Sequence, residues 1–257
     1  MQGYLTVTEL PGNKASKEQI ERLYHRYHFA LSFCQGKDVL EVACGAGMGL
    51  GYLRKVARKV VGGDVDEDIL EFARKYYREQ KAIECRKLDA HHLPFPDKSF
   101  NVMIMYEAIY YLRKPEKFIL EASRVLKEGG VLLISTVNKD WSDFNPSPFA
   151  SRYFSALELY QLLSSKFRDV KLYGAFAVQA NSMKAKIISL IKRMAVKFHF
   201  IPKTMKGKEF FKRIFFGRLI SMPFEVTEGL AEYVPPAAIS KDSPDSQFKV
   251  IYAVARI

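Results

Sequence analysis

Hydrophobic positions recur along this chain in two periods, and the order in which the periods alternate predicts a fold. Ile20, Leu23, Tyr24, Tyr27 and Leu31 keep helical spacing, and Ser16 with Gln19 reads as a capping-box start, so a helix is expected from Lys17 to Phe33. Lys37 to Cys44 gathers Val39, Leu40 and Val42 into a short buried strand, and a helix with Leu50, Leu53, Val56 and Ala57 follows. The alternation continues through a strand at Lys59–Asp64, an amphipathic helix at Glu67–Glu79 and a strand at Ala82–Leu88. Phe100–Tyr106 is a strand, Pro115–Leu126 a helix with proline in its first turn, and Val131–Val137 another strand. A helix at Leu157–Phe167, a strand at Asp169–Ala175 and a final alternating strand at Gln247–Arg256 complete the pattern.

Strands and helices alternating at this spacing predict βαβ units, hence an α/β doubly wound, mostly parallel sheet with helices on both faces. Residues 1–36 form a helical lead-in, 37–180 with 246–257 form the core, and 181–245 enter as an insertion or cap between the last two strands.

Composition changes this picture at one place. Hydrophobic residues make up 48% and charged residues 26%, which suits a globular chain. The net charge of +12 is concentrated: between Ser182 and Ile220 stand Lys184, Lys186, Lys192, Arg193, Lys197, Lys203, Lys206, Lys208, Lys212, Arg213 and Arg218 against the single acid Glu209. Ile187, Ile188, Ile191, Met194 and Phe198, then Phe210, Phe211, Ile214 and Phe215, recur at helical spacing among these cations. Such a segment can lie on an anionic membrane surface or cap a site. Nucleic acid is disfavoured as a partner, since no RNA-binding module accompanies the charge. No stretch reaches the roughly 18 apolar residues of a membrane span, and the N-terminus lacks a signal-peptide pattern, so the expectation is a cytoplasmic protein, peripheral at the inner face of the membrane if the basic segment binds there. Cys34, Cys44 and Cys85 are odd in number and lack CxxC spacing, which argues for buried thiols and against a disulfide framework or a metal site.

The candidate chemistry sits after the first core strand, where open parallel sheets hold ligands. Glu41-Val42-Ala43-Cys44-Gly45-Ala46-Gly47-Met48-Gly49 is a glycine turn, and Asp64 follows at the end of the next strand, placed to accept ribose hydroxyls. A dinucleotide site wants G-x-G-x-x-G and a pyrophosphate at the helix start. Here the spacing is G-x-G-x-G behind Glu41, an acid that repels a pyrophosphate and suits a ligand carrying an ammonium and a sulfonium.

Val39 to Gly47 resembles motif I of the class I S-adenosylmethionine-dependent methyltransferases, of the methyltransferase-11 type. Gly62-Gly63-Asp64-Val65-Asp66 is similar to their second motif, Leu88-Asp89-Ala90 with Leu93 to Phe100 to the loop before their fourth strand, and Arg124 to Gly130 to the turn before their fifth. The resemblance implies a seven-stranded Rossmann-like sheet with an antiparallel last strand, and S-adenosyl-L-methionine as cofactor. It implies that Asp64 binds ribose, that Val65 and Ala90 flank the adenine, and that Asp89 accepts from its amino group. Glu41, Ala43, Cys44, Gly45 and Gly47 would line the methionine part, with Tyr106 beside them. Tyr24 to Ala30, Asn145 to Pro148 and the closing strand look like members associated with surface-polysaccharide or lipid-linked glycan synthesis.

Methyl transfer is an in-line displacement, in which a protein supplies alignment, desolvation and, for an alcohol acceptor, a base. Glu107, Tyr106 and Tyr110 are the candidates, with His91 and His92 weighed beside them. Where many relatives read Glu-x-x-Glu-His, this chain reads Glu107-Ala108-Ile109-Tyr110-Tyr111, so a histidine base is absent at that position. The expected acceptor is a small molecule, glycan or lipid-linked group bearing a hydroxyl. An RNA methyltransferase and a catalytically silent adenosylmethionine-binding scaffold are the competing readings.

Overall fold

A computed structural model describes residues 8–178 and 219–257. The basic stretch 182–218 therefore lies outside the described residues, and with it both amphipathic patterns and His199.

A two-residue strand, β1 (Lys14–Ala15), leads into α1 (Lys17–Cys34), whose capping box joins the Ser16 side chain to the Gln19 amide and the Gln19 side chain to the Ser16 amide. Then come β2 (Asp38–Val42), α2 (Leu50–Arg54), β3 (Lys59–Asp64), α3 (Glu67–Tyr77), β4 (Ile83–Lys87) and β5 (Phe100–Tyr106). After α4 (Pro115–Val125) the chain runs directly into β6 (Leu126–Val137), then α5 (Ala156–Ser164) and β7 (Asp169–Ala177). β8 (Ile220–Ser221), β9 (Ala237–Ala238) and β10 (Phe248–Arg256) complete the elements.

The main sheet has the order β4-β3-β2-β5-β6-β10-β7-β9. β2, β3, β4, β5 and β6 pair in parallel, whereas β10 lies antiparallel between β6 and β7. Strand order reverses at β2, flanked by β3 on one side and β5 on the other, so the crevice beyond its carboxyl end is the position where such sheets bind ligands. Alternation along the strands feeds two cores. Val39, Val60, Val102 and Ile104 pack with Leu23, Tyr27 and Leu70 on one face, and Leu40, Val61, Met103 and Met105 pack with Phe118, Ile119 and Leu159 on the other. This is the Rossmann-like architecture expected, with its antiparallel last strand.

Three details differ from the expectation. β9 adds an eighth strand at the β7 edge, where a two-residue pairing carries no sequence alternation. The helix after the glycine turn stops at Arg54, because the chain must turn back so that Arg58 can donate to the Lys37 carbonyl at the start of β3. β6 begins at Leu126 rather than Val131; Gly129, with φ +67°, lets the strand pass through an irregularity opposite Phe100–Val102 without leaving the sheet.

The described end of the expected 181–245 insertion packs onto the core. β8 pairs with β1, Met222 and Val226 are buried with α1, and the Val226 amide donates to the Met48 carbonyl at 2.8 Å. Residues 219–239 thus lace the first helix to the glycine turn.

Candidate donor and acceptor site

The turn after β2 is built from residues that alternate into left-handed conformations: Ala43 at φ 60°, Gly45 at 56° and Gly47 at 73°. Ala43, expected from the resemblance to line the methionine part, is a non-glycine held in the left-handed region, which spacing did not foretell. Gly47 is required twice over, since a Cβ there would also sit 2.7 Å from that of Ala73 in α3. At Gly49 a Cβ would sit 1.8 Å from the Tyr27 ring of α1. Gly49 thus lets α1 close over the turn, whereas a Cβ at Gly45 would meet the Thr8 methyl at 3.2 Å.

Asp64 closes the turn from β3. Its Oδ2 accepts the Gly45 amide at 2.9 Å and its Oδ1 the Asp66 amide at 3.0 Å. Burial pushes its pKa up, and the amides of Asp66 and Gly45 oppose that push. Each oxygen has a second lone pair, the capacity a ribose diol requires.

Glu41, at the last turn of β2, is 1% exposed. Tyr27 Oη donates to its Oε1 at 2.6 Å, while its Oε2 is buried without a partner. Burial pushes the Glu41 pKa up to about 7, against the Tyr27 hydrogen bond and the charge of Arg26. A buried acceptor left unmet beside a glycine turn fits a ligand that brings a donor group, and the ammonium of a methionine tail is one.

Of the residues expected to flank an adenine, Val65 is 51% exposed and Ala90 is buried. Asp89 accepts the His91 amide at 2.8 Å and lies 2.7 Å from His91 Nδ1, so it is held by its own loop. His91 is half-buried and His92 exposed. Cys44 is buried within the turn; Cys34 is buried and Cys85 half-buried elsewhere.

Across the crevice stands the end of β5. Glu107 has φ 51°, fixed by its amide donating to the Ser135 carbonyl at 2.8 Å and by Ser135 Oγ donating to its Oε1 at 3.0 Å. Tyr110 Oη lies 3.4 Å from Glu107 Oε2, and its ring stacks on Tyr153 at 5.0 Å. Tyr106 Oη is buried without a partner. Burial pushes the Tyr106 and Tyr110 hydroxyls well above their usual pKa, so both keep their protons at neutral pH and neither is a phenolate base. Glu107 is then the one of the three suited to accept a proton.

Sequence reasoning passed over the roof of the site. Arg26, 7% exposed, comes from α1 beside Tyr27, and its Nη2 pairs with Glu9 Oε2 at 2.5 Å. His25 donates through Nε2 to the Val234 carbonyl, so its Nδ1 accepts from Tyr252 Oη at 3.0 Å. Both Glu228 oxygens accept from tyrosines, Tyr24 and Tyr52. The run Tyr24-His25-Arg26-Tyr27-His28 was the available signal: five polar-tipped residues in a row on a helix cannot all face solvent.

The fold is a Rossmann-like α/β domain, and its crevice is lined by the buried acids Glu41 and Asp64. Residues 40–134 match the Methyltransf_11 family, described as a methyltransferase domain. A protein of Mycolicibacterium smegmatis named "Probable S-adenosylmethionine-dependent methyltransferase" is 36% identical over 157 residues, covering 59% of this chain and 56% of that protein. The fatty-acid O-methyltransferase of the same organism is 36% identical over 114 residues, 44% of this chain and 41% of its own. The chain thus spans about half the length of the curated relatives it matches. A solved SAM-dependent methyltransferase of Thermotoga maritima superposes with a TM-score of 0.59 at 19% identity, over 92% of this chain and 90% of that one, a likeness of fold.

Proposed function

We propose that this chain transfers a methyl group from S-adenosylmethionine to a hydroxyl of a small-molecule, glycan or lipid-linked acceptor. The observation that carries the reading is the unmet Oε2 of buried Glu41, set beside a glycine turn that Asp64 clamps from the next strand. When bound, the donor supplies a methyl carbon activated by its sulfonium. Glu41 orients the ammonium end, Asp64 holds the ribose, and Val65 with Ala90 sandwiches the adenine while Asp89 accepts from its amino group. Tyr106 and Tyr110 donate hydrogen bonds that fix the acceptor, and Glu107 takes its proton. The similarity to a fatty-acid O-methyltransferase supports a lipid-type acceptor.

Titration calorimetry with S-adenosylhomocysteine tests the donor assignment: a clear isotherm is expected, and no heat with that compound alongside a clear isotherm with NAD overturns it. Radiolabelled donor incubated with lipid, glycan and RNA fractions then names the acceptor, label confined to RNA being the result against a lipid or glycan. The 182–220 segment docks the enzyme on an anionic membrane surface in this reading. Retention by anionic vesicles at low salt, lost on deleting that segment, supports the docking; no retention refutes it. No helix among the described residues is long and apolar enough to cross a membrane.

A further inference from the structure

Arg26 is the least expected group in the molecule. It is a guanidinium at 7% exposure, it projects from α1 beside the Tyr27–Glu41 pair, and its charge reaches both Glu41 and Glu107. Its Nε is buried without a partner. Among the described residues the carboxylate in hydrogen-bond contact with it is Glu9, which comes from the segment before β1 and lies near enough to influence Tyr110. One residue earlier, the Thr8 methyl stands 3.2 Å from where a Gly45 Cβ would be, on the face of the turn that the donor needs. The strap 8–13 therefore crosses the mouth of the crevice from Gly45 to Arg26. It is tied down behind by Gly12, whose amide donates to the Met222 carbonyl at 2.9 Å, and by the Met222 amide donating to the Asn13 carbonyl at 2.8 Å.

We propose that Arg26 anchors a carboxylate-binding subsite, that Glu9 occupies it in the ligand-free protein, and that a ligand carboxylate replaces Glu9 and lifts the strap. A buried guanidinium cannot be left without an anion, so whatever displaces Glu9 must bring one. The anion is a carboxylate rather than a phosphate, because the charges of Glu41 and Glu107 already act on Arg26, and a second negative charge would be repelled where Glu9's single one is held. Two ligands could carry it: the donor through its amino-acid tail, for which the inference rests on the adenosylmethionine reading, or an acceptor that is itself a carboxylic acid.

Hydrogen exchange on the full wild-type chain separates these. S-adenosylhomocysteine is expected to speed exchange of the Gly12 and Lys14–Ala15 amides about tenfold, the change for a strap open one-tenth of the time when free, whereas methylthioadenosine, which lacks the carboxylate, leaves them protected. If decanoate alone speeds them, the acceptor is the source. Glu9→Gln is expected to tighten the effective carboxylate probe about tenfold and leave methylthioadenosine unchanged, and Arg26→Gln to erase the preference for the carboxylate. Unchanged strap protection with both S-adenosylhomocysteine and decanoate overturns the proposal, even if Glu9→Gln proves too unstable to titrate. Absence of any heat with S-adenosylhomocysteine strikes the donor reading instead, and the decanoate arm still reads Arg26.

Discussion

Asp64 and Arg26 are both buried charges at the same end of one sheet, and they are held in opposite ways. Asp64 is held by amides of its own neighbourhood, Gly45 and Asp66, within a turn whose shape the glycines dictate. Arg26 is held by a side chain from a separate strap, under a roof completed by residues 219–239 more than 200 positions along the chain. The floor is thus a product of local sequence, and the roof of tertiary assembly. A floor built this way can grip a ligand portion shared by many proteins, while a roof assembled from distant pieces is free to specify what only this chain accepts.

The sharpest way to break the comparison is to remove Glu107, the proposed proton acceptor. Glu107→Gln keeps the Ser135 hydrogen bond and removes basicity, so turnover of an alcohol acceptor should fall by about a hundredfold or more while S-adenosylhomocysteine affinity stays put. Steady-state kinetics beside calorimetry reads both, and unchanged turnover would take Glu107 out of the chemistry. Next in size, Asp64→Ala deletes the two charge-assisted hydrogen bonds proposed to ribose and should weaken S-adenosylhomocysteine by about a hundredfold. A change below threefold would mean that the floor does not grip the sugar through this acid.

Gly49→Ala tests whether floor and roof are one packed unit. The added methyl would fall 1.8 Å from the Tyr27 ring, so α1 must shift, at a cost of about 2–3 kcal/mol in equilibrium urea unfolding. A stability loss under 0.5 kcal/mol, the range of an ordinary surface change, would show that α1 rests loosely on the turn.

The floor was legible because its determinants are consecutive or one strand apart: three glycines on alternate positions, Glu41 before them and Asp64 nineteen residues beyond Gly45. Even there, spacing could not say that Gly47 and Gly49 make room for Ala73 and Tyr27. The roof was not legible because nothing near His25 announces Val234 or Tyr252, 209 and 227 residues away. Periodicity likewise treats Arg26 as a solvent-facing cation; only the packing of Tyr27 against Gly49 turns that side of α1 inward. The parallel strands were readable from buried apolar runs, while β8 and β9, two residues each, are pairings of opportunity that no pattern encodes.

The smallest expected effect concerns Glu41, where floor and roof meet through the Tyr27 hydroxyl. Burial raises its pKa from 4.5 to about 7, so the folded chain holds a proton that the unfolded chain has already released in that window. Its contribution to stability is therefore full below pH 4.5 and is lost as pH rises through 7, a slope that Glu41→Gln should remove. Ligand binding runs the other way. An ammonium beside Oε2 favours the carboxylate, so S-adenosylhomocysteine should bind about fivefold more tightly at pH 8 than at pH 6 if it lowers the Glu41 pKa by one unit from about 7. Methylthioadenosine, which has no ammonium, should show no such slope. Equal slopes for the two compounds would place the ammonium away from Glu41 and leave its unmet oxygen to the acceptor.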